Sequence, residues 1–112
     1  MIEHYFFGKF VIDGKTYESN VRLVGGRAEP ARYLPGHELL LSDITPLIDA
    51  KPDYLIIGTG ASGVIEVSER IRRVVAEKGI ELIVLPTAQA CRRYNELLKQ
   101  NKRIAAFLHN TC

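Results

Sequence analysis

The sequence has 112 residues, the size of one domain, and contains no linker-like stretch or internal repeat. Fifteen basic against thirteen acidic residues give a net charge of +2, too balanced to favour nucleic acid or an anionic membrane as partner. No apolar run approaches the roughly 18 residues that span a bilayer, and two cysteines do not suit a disulfide scaffold, so we expect a cytoplasmic protein.

The first third of the chain is predicted to be β structure. Residues 9–12 form a short apolar strand, and the following Asp13-Gly14 is typical of a hairpin turn. Alternating and β-branched residues predict one continuous strand over residues 17–24. Residues 25–38 contain several glycines and two prolines, so we expect an irregular connection there.

Helices and strands alternate through the rest of the chain. Asp43 is a predicted N-cap for a short helix that ends before Pro52. Ser68 is predicted to cap a second helix that stops at Gly79, and Thr87 to cap a third. Three apolar runs predict buried strands: residues 54–57, 81–85 and 103–108. Strands separated by helices indicate parallel crossovers, so the sequence predicts an α/β core preceded by a β-hairpin, in a single domain over residues 1–112.

The loop after the strand at residues 54–57 has the glycine spacing of a dinucleotide-binding fingerprint, with Gly58, Gly60 and Gly63. Two features oppose that function. The helix predicted from Ser68 begins too far beyond Gly63 for its N–H groups to hold a phosphate, and residues 85–87 lack the acid that would bind a ribose. We therefore interpret the glycines as a tight turn at the sheet edge, with a pocket for a smaller anion or a peptide as the alternative.

The last four residues, His109-Asn110-Thr111-Cys112, are unusually polar for the end of a buried strand. His109 and Cys112 supply at most half of a zinc site, and no other histidine or cysteine has paired spacing, so no metal is predicted. A nucleophilic pair of these two residues, oriented by Asn95, is a second hypothesis. The structural alternative is that Cys91 is a core residue of the third helix and that Cys112 tucks under a neighbouring strand.

Several spaced motifs together resemble a widespread family of small domains. The family includes the adipogenesis-associated domain protein and a mitochondrial respiratory complex I assembly factor, and the chain is similar to its free-standing prokaryotic members. The resemblance covers nearly the whole chain and is strongest from residue 52 onward. The motifs that carry it are the run Leu55–Gly60, Thr87 with Ala90, Tyr94-Asn95, Ala105-Ala106, and His109 with Thr111 and Cys112.

The resemblance implies a three-layer α/β domain, with a mixed central sheet flanked by helices and an additional N-terminal β-hairpin layer. No established enzymatic activity comes with it, and the assembly-factor relatives act by binding other proteins. This chain has Asn110 where an apolar residue is usual, and it lacks a mitochondrial presequence, so the complex I role does not transfer directly. The recurrent residues of the family correspond to a candidate pocket of eight positions: Gly58, Thr59, Gly60, Thr87, Asn95, His109, Thr111 and Cys112.

These observations predict a non-enzymatic domain that binds protein partners as an assembly or adaptor factor, with no cofactor and no catalytic residue. The alternative is a small-molecule pocket or enzyme that uses the Gly58-Thr59-Gly60 loop and the His109/Cys112 tail. Dinucleotide binding is the third hypothesis. The pocket hypothesis requires the eight residues to converge, whereas the adaptor hypothesis requires an exposed apolar patch outside them.

Overall fold

The computed structural model describes all 112 residues, as eight strands, three α-helices and a short 3-10 turn at Pro35–His37. The helices are α1 (Leu41–Asp49), α2 (Glu69–Glu77) and α3 (Thr87–Lys99). The strands are β1 (Ile2–Phe6), β2 (Lys9–Ile12), β3 (Lys15–Tyr17), β4 (Asn20–Val24), β5 (Arg27–Ala31), β6 (Tyr54–Gly58), β7 (Glu81–Leu85) and β8 (Ile104–Leu108). None of the helices is long and apolar enough to cross a membrane.

The centre of the molecule is a five-stranded mixed sheet with strand order β5-β4-β8-β6-β7. β6 runs parallel to β7 and β8, while β4 is antiparallel to both β5 and β8. All five residues of β8 are buried, because this strand is covered on both faces. A strand buried on both sides reads as a continuous apolar run, which is why the sequence pattern identified β6 and β8 readily.

The molecule has three layers, with the five-stranded sheet in the middle. On one face, α1 and α2 enclose a cluster of 14 buried hydrophobic residues that includes Leu55, Ile57 and Phe107. On the other face, α3 and the antiparallel sheet β1-β2-β3 enclose a second cluster of 13, with Ile56 and Leu108. The α/β fold with a mixed central sheet and an N-terminal β-hairpin layer is therefore confirmed.

Three local predictions are confirmed, at the turn after β2 and at the two ends of α2. Asp13 and Gly14, both with positive φ, form the turn between β2 and β3. The Ser68 side chain accepts a hydrogen bond from the backbone N–H of Ile71 at 3.2 Å, which is the expected N-cap of α2. Gly79 follows the end of α2 with φ of 71°.

The β-rich first third differs from the prediction in two places. The expected continuous strand over residues 17–24 is wrong, because β3 and β4 belong to different sheets and the chain crosses between them at residues 18–19. The connection expected to be irregular contains β5. This strand accommodates Pro30 because β5 lies at the edge of the central sheet. On its outer side there is no neighbouring strand, so the N–H group that proline lacks is not needed for a hydrogen bond there.

The start of α1 also differs from the prediction. Asp43 is not the N-cap but the third residue of the helix, and Leu40 holds the cap position. The Asp43 carboxylate reaches back to the N–H of Leu40 at 2.8 Å and accepts two further bonds from the Arg32 guanidinium, at 2.7 and 3.0 Å. Asp43 is buried, so this ion pair fixes the loop before α1 to the helix itself.

Candidate functional site

The glycine loop begins where β6 ends, at the carboxyl edge of the parallel strands. Gly58 lies between two neighbours: a Cβ on it would stand 2.9 Å from Leu108 Cδ2 and 3.0 Å from Thr87 Oγ1. Thr59 is buried, and both its N–H and its hydroxyl donate to the Leu85 carbonyl, at 2.9 and 3.2 Å. The loop is thereby tied to the ends of β7 and β8 and to the start of α3.

Thr87 joins the loop to the end of β8, and its predicted role as a helix cap is wrong. It is the first residue of α3, after Pro86, and makes no capping bond. Its fully buried hydroxyl instead accepts from the N–H of Gly60 at 2.8 Å and donates to the carbonyl of His109 at 2.8 Å. One hydroxyl therefore satisfies two buried backbone groups of different segments.

The segment at residues 109–112 fills the glycine loop. The N–H of Ala61 donates to the Thr111 carbonyl at 2.8 Å, and the N–H groups of Ser62 and Val64 donate to the Cys112 carbonyl oxygen at 3.3 and 3.2 Å. Gly60 has φ of 111°, and a side chain on it would overlap the Cys112 backbone. The loop's backbone donors are consequently used inside the protein.

His109 is buried within a chain of side-chain hydrogen bonds. Its Nδ1 atom lies 2.8 Å from Asn20 Oδ1, and its Nε2 atom lies 3.0 Å from His37 Nδ1. Thr111 Oγ1 lies 3.5 Å from the same Nε2 atom. Burial, and then the neighbouring His37, lower the pKa of His109 below its ordinary value, so the neutral ring is favoured.

The hydrogen-bond pattern selects one tautomer for the neutral His109 ring. The amide group of Asn20 donates to the Arg32 carbonyl, which leaves its Oδ1 atom as an acceptor for both the Asn110 N–H and His109 Nδ1. His109 therefore carries its proton on Nδ1 and accepts at Nε2, so His37 donates from Nδ1. Neither Asn20 nor His37 was identified from the sequence as a site residue.

No hydrogen bond joins Cys112 to His109, so the proposed nucleophilic pair is not formed. Both imidazole nitrogens of His109 are bonded to other groups, Asn20 and His37. The pKa of Tyr5 is raised by burial first, and then by Cys91 and Cys112. Cys91 is a buried residue of α3, as predicted, and burial raises its pKa to about 12, which suppresses the reactive thiolate. No group of three or more histidine, cysteine or acidic side chains is placed to hold a metal ion.

Seven of the eight candidate pocket residues lie together in this hydrogen-bonded cluster, and Asn95 does not bond with them. The Asn95 side chain accepts from the N–H of Ile2 at 2.9 Å and donates to its carbonyl at 2.8 Å. The Asn95 amide thus bonds the backbone of β1 in the way that a neighbouring strand would. It holds the N-terminal β layer against α3.

The geometry that a dinucleotide requires is not formed. A pyrophosphate binds where a glycine turn leads directly into a helix N-terminus. Here α2 begins at Glu69, six residues beyond Gly63, and Ser68 accepts from one of its first N–H groups. The loop's own N–H groups are bound to the 109–112 segment.

Three stretches of chain contact the 109–112 segment: residues 6–8, at the end of β1 and the turn after it, residues 33–40 and residues 61–64. We call these three loops and the 109–112 segment together the rim. The first loop contacts the segment through the Gly8 N–H, which donates to the Asn110 carbonyl at 2.6 Å. The second contacts it through His37, and the third through Val64. Five of the six exposed large hydrophobic residues of the protein lie on these loops: Phe6, Phe7, Tyr33, Leu40 and Val64.

The family model described as a protein of unknown function (DUF498/DUF598) matches residues 2–109. The chain belongs to the DUF498/DUF598 family. The fold is similar to that of conserved hypothetical protein PH1505 from Pyrococcus horikoshii OT3, with a TM-score of 0.88, 28% identity, and coverage of 100% of this chain and 99% of that one. A structure designated MT938 is 27% identical, with a TM-score of 0.81 and coverage of 100% and 98%.

A third structure shares the DUF498/DUF598 fold at lower identity. It is an outer membrane protein from Bartonella henselae, 23% identical, with a TM-score of 0.87 and coverage of 99% of this chain and 94% of that one. At this identity the likeness concerns the fold alone. The family and these structures establish a small α/β protein of a family of unknown function.

Proposed function

We propose that this protein is a non-enzymatic adaptor or assembly factor that binds a protein partner through the rim. The observation that carries the proposal is the clustering of Phe6, Phe7, Tyr33, Leu40 and Val64 on loops that border one hydrogen-bonded cluster. A concentration of exposed apolar groups is the usual mark of a protein interface, and aromatic residues contribute most of the binding energy at such surfaces. The resemblance to the complex I assembly factor and the adipogenesis-associated domain protein is consistent with this role.

The buried polar groups His109 and Thr87 support binding rather than chemistry. His109 is held between Asn20 and His37, and the Thr87 hydroxyl is bound at both ends, so these groups fix loop positions. A network in which each member is satisfied makes the surrounding loops rigid. Pre-ordered loops lower the entropy that a partner must overcome on binding.

The partner that fits this surface is a folded protein with apolar pockets that accept the side chains of Phe7 and Tyr33. Phe7 is 65% exposed and Tyr33 is 76% exposed, so each presents most of its ring to a partner. Nucleic acid is a poorer fit, because the protein carries 15 basic and 13 acidic residues and a net charge of only +2.

The test places a photoreactive phenylalanine analogue at position 7 and, as a control, at Lys78, which is exposed at the opposite edge of the sheet. We expect the position 7 probe to capture a protein that the Lys78 probe does not. That protein, once purified, should bind the wild type, and Phe7→Ser and Tyr33→Ser should each weaken binding at least about tenfold. Equal binding by wild type and both serine variants would overturn the proposal.

The alternative small-molecule site at the glycine loop requires the 109–112 segment to leave, because that segment occupies the space above Gly60. A thermal-shift screen with nucleotides, flavins, metal ions and small carboxylates tests it. A ligand at about 100 times its Kd stabilises by roughly 2.7 kcal/mol. A shift that Gly60→Ala abolishes, and that Phe7→Ser leaves intact, would favour this alternative over the adaptor.

Two further assignments accompany the adaptor proposal. We propose that residues 1–112 form one domain, because both hydrophobic clusters pack on the two faces of a single sheet. We also propose a cytoplasmic location, because Cys91 and Cys112 are free thiols and a reducing compartment keeps them so.

A further inference from the structure

A cavity of about 300 Å³ opens at the edge of the sheet opposite the rim, where β6 and β8 begin. It lies between the β4–β5 turn and the last turn of α3, with Val24, Leu98 and Ile104 among its apolar walls. Its volume is at the lower end of the range, about 300 to 1,000 Å³, of small-molecule sites. Apolar walls with a few polar groups are typical of such sites.

One polar group inside this cavity has no partner in the protein. Tyr94 lines the cavity and is among the largest fully buried side chains, at 2% exposure. No side-chain hydrogen bond involves its hydroxyl, and the one buried side-chain polar atom without a partner is Arg22 Nε, so the Tyr94 hydroxyl is reached from the cavity. Burial, and then the Asp13 carboxylate, raise the pKa of Tyr94, so its hydroxyl keeps the proton that it would donate to a ligand.

Two cations stand at the cavity mouth. Arg103 is already engaged, because its guanidinium lies 3.3 Å from Asp53 Oδ1. Lys102 lines the same cavity, is exposed, and takes part in none of the protein's ion pairs. The charge of Lys102 helps to lower the pKa of Asp53, after the bonds that Asp53 makes with Arg103, but Lys102 makes no direct ion pair with it. An ammonium without a direct partner beside an apolar cavity attracts an anion whose remaining body is apolar.

We propose that this cavity binds a small monocarboxylate with an apolar tail, the tail lying against Val24, Leu98 and Ile104 and the carboxylate meeting Lys102 and the Tyr94 hydroxyl. A carboxylate is an acceptor-only group, which suits the hydroxyl donor and the ammonium together. A neutral alcohol of the same length would gain the apolar contacts but not the charge-assisted bond to Lys102. This site is separate from the rim and does not depend on the adaptor role.

The experiment is a titration of the full chain with hexanoate, followed by amide chemical shifts in nitrogen-15 spectra, with hexan-1-ol as the uncharged control. We expect saturable shifts at Gly25, Gly26 and Ala105, which line the cavity, and binding of hexan-1-ol at least fivefold weaker. Lys102→Gln and Tyr94→Phe should each weaken hexanoate binding several-fold. Lys78→Gln, which alters an exposed lysine outside the cavity, should change nothing.

Three results would overturn the proposal: shifts that rise linearly without saturation, equal binding of acid and alcohol, or equal binding by the Lys102→Gln variant. Since Lys102 is exposed, its variant folds like the wild type even if Tyr94→Phe is destabilised. The Phe7→Ser variant should bind hexanoate normally, which separates failure of this site from failure of the rim.

Discussion

The Nδ1 atom of His37 lies 3.0 Å from the Nε2 atom of His109, and this contact joins the loop before α1 to the end of β8. The two residues are 72 positions apart in the chain. His109 holds its one ring proton toward Asn20, so the contact needs a neutral His109 and a donor on His37. The position of the second rim loop therefore depends on His109 staying neutral.

Stability should fall as the pH is lowered, because His109 resists protonation in the folded state. The folded state depresses the pKa of His109, so below its ordinary value of 6.5 the unfolded chain binds a proton that the folded protein resists. Stability should be level above pH 7.5 and decrease between pH 7 and 5.5, by at most about 1.4 kcal/mol per pH unit for one proton. Urea unfolding at a series of pH values measures this, and His109→Gln should flatten the dependence.

The matched control for the pH prediction is His4→Gln, because His4 is exposed on β1. This variant should keep the wild-type pH dependence. A wild-type protein whose stability did not change between pH 7.5 and 5.5 would contradict the prediction.

Gly60→Ala should destabilise the protein by more than about 2 kcal/mol. A non-glycine residue at positive φ costs about 1–3 kcal/mol, and here the added Cβ also overlaps the Cys112 backbone. Gly26→Ala is the control: its φ is 75° but nothing lies near the added atom, so only the backbone cost, about 1 kcal/mol, applies. Hydrogen exchange should show that Gly60→Ala, unlike Gly26→Ala, deprotects the amides of Ala61 and Val64.

Thr87→Val should cost about 2 kcal/mol or more, because it leaves the Gly60 N–H and the His109 carbonyl buried without a partner. Thr87→Ser keeps the hydroxyl and loses one methyl group, so its cost should be about 1 kcal/mol. Chemical denaturation of the two variants measures the difference. Equal losses of stability in Thr87→Val and Thr87→Ser would show that the hydroxyl does not bridge the two backbone groups.

Arg32→Met should destabilise by about 2 kcal/mol, because it leaves the carboxylate of Asp43, which is 4% exposed, without its cation. The figure lies below that for a fully buried pair, since Arg32 itself is half exposed. Arg93→Met removes an exposed pair with Glu96 and should change stability by less than about 0.5 kcal/mol. Similar losses of stability in the two variants would show that burial of Asp43 does not strengthen its ion pair with Arg32.

The parts of the fold that sequence predicted are those that local patterns determine. The apolar run of β8 and the Ser68 cap of α2 depend on neighbours within a few residues. The split between β3 and β4 was missed because alternating residues continue across it, and only pairing with distant strands separates the two. Pro30 suggested a loop, but the edge position of β5 removes the cost of a proline.

The part of the candidate site that could be predicted is the part that follows from the direction of the strands. β6 and β8 run parallel, so the residues that follow them, Thr59 and His109, meet at one edge. Asn95 follows Thr87 by eight residues on α3, roughly 12 Å along the helix, which carries it away from that edge. Asn20 could not be found from sequence, because its contact with His109 spans 89 residues and no local pattern marks it.

The 109–112 segment behaves as an internal ligand of the glycine loop. Three loop amides, those of Ala61, Ser62 and Val64, donate to its carbonyls, so lifting the segment would release all three donors together. Opening would also remove the Cys112 backbone from Gly60 and break the contact between His109 and His37. A partner that drew the segment out would leave these three amides without acceptors at once, so the segment and the loop should separate as one step.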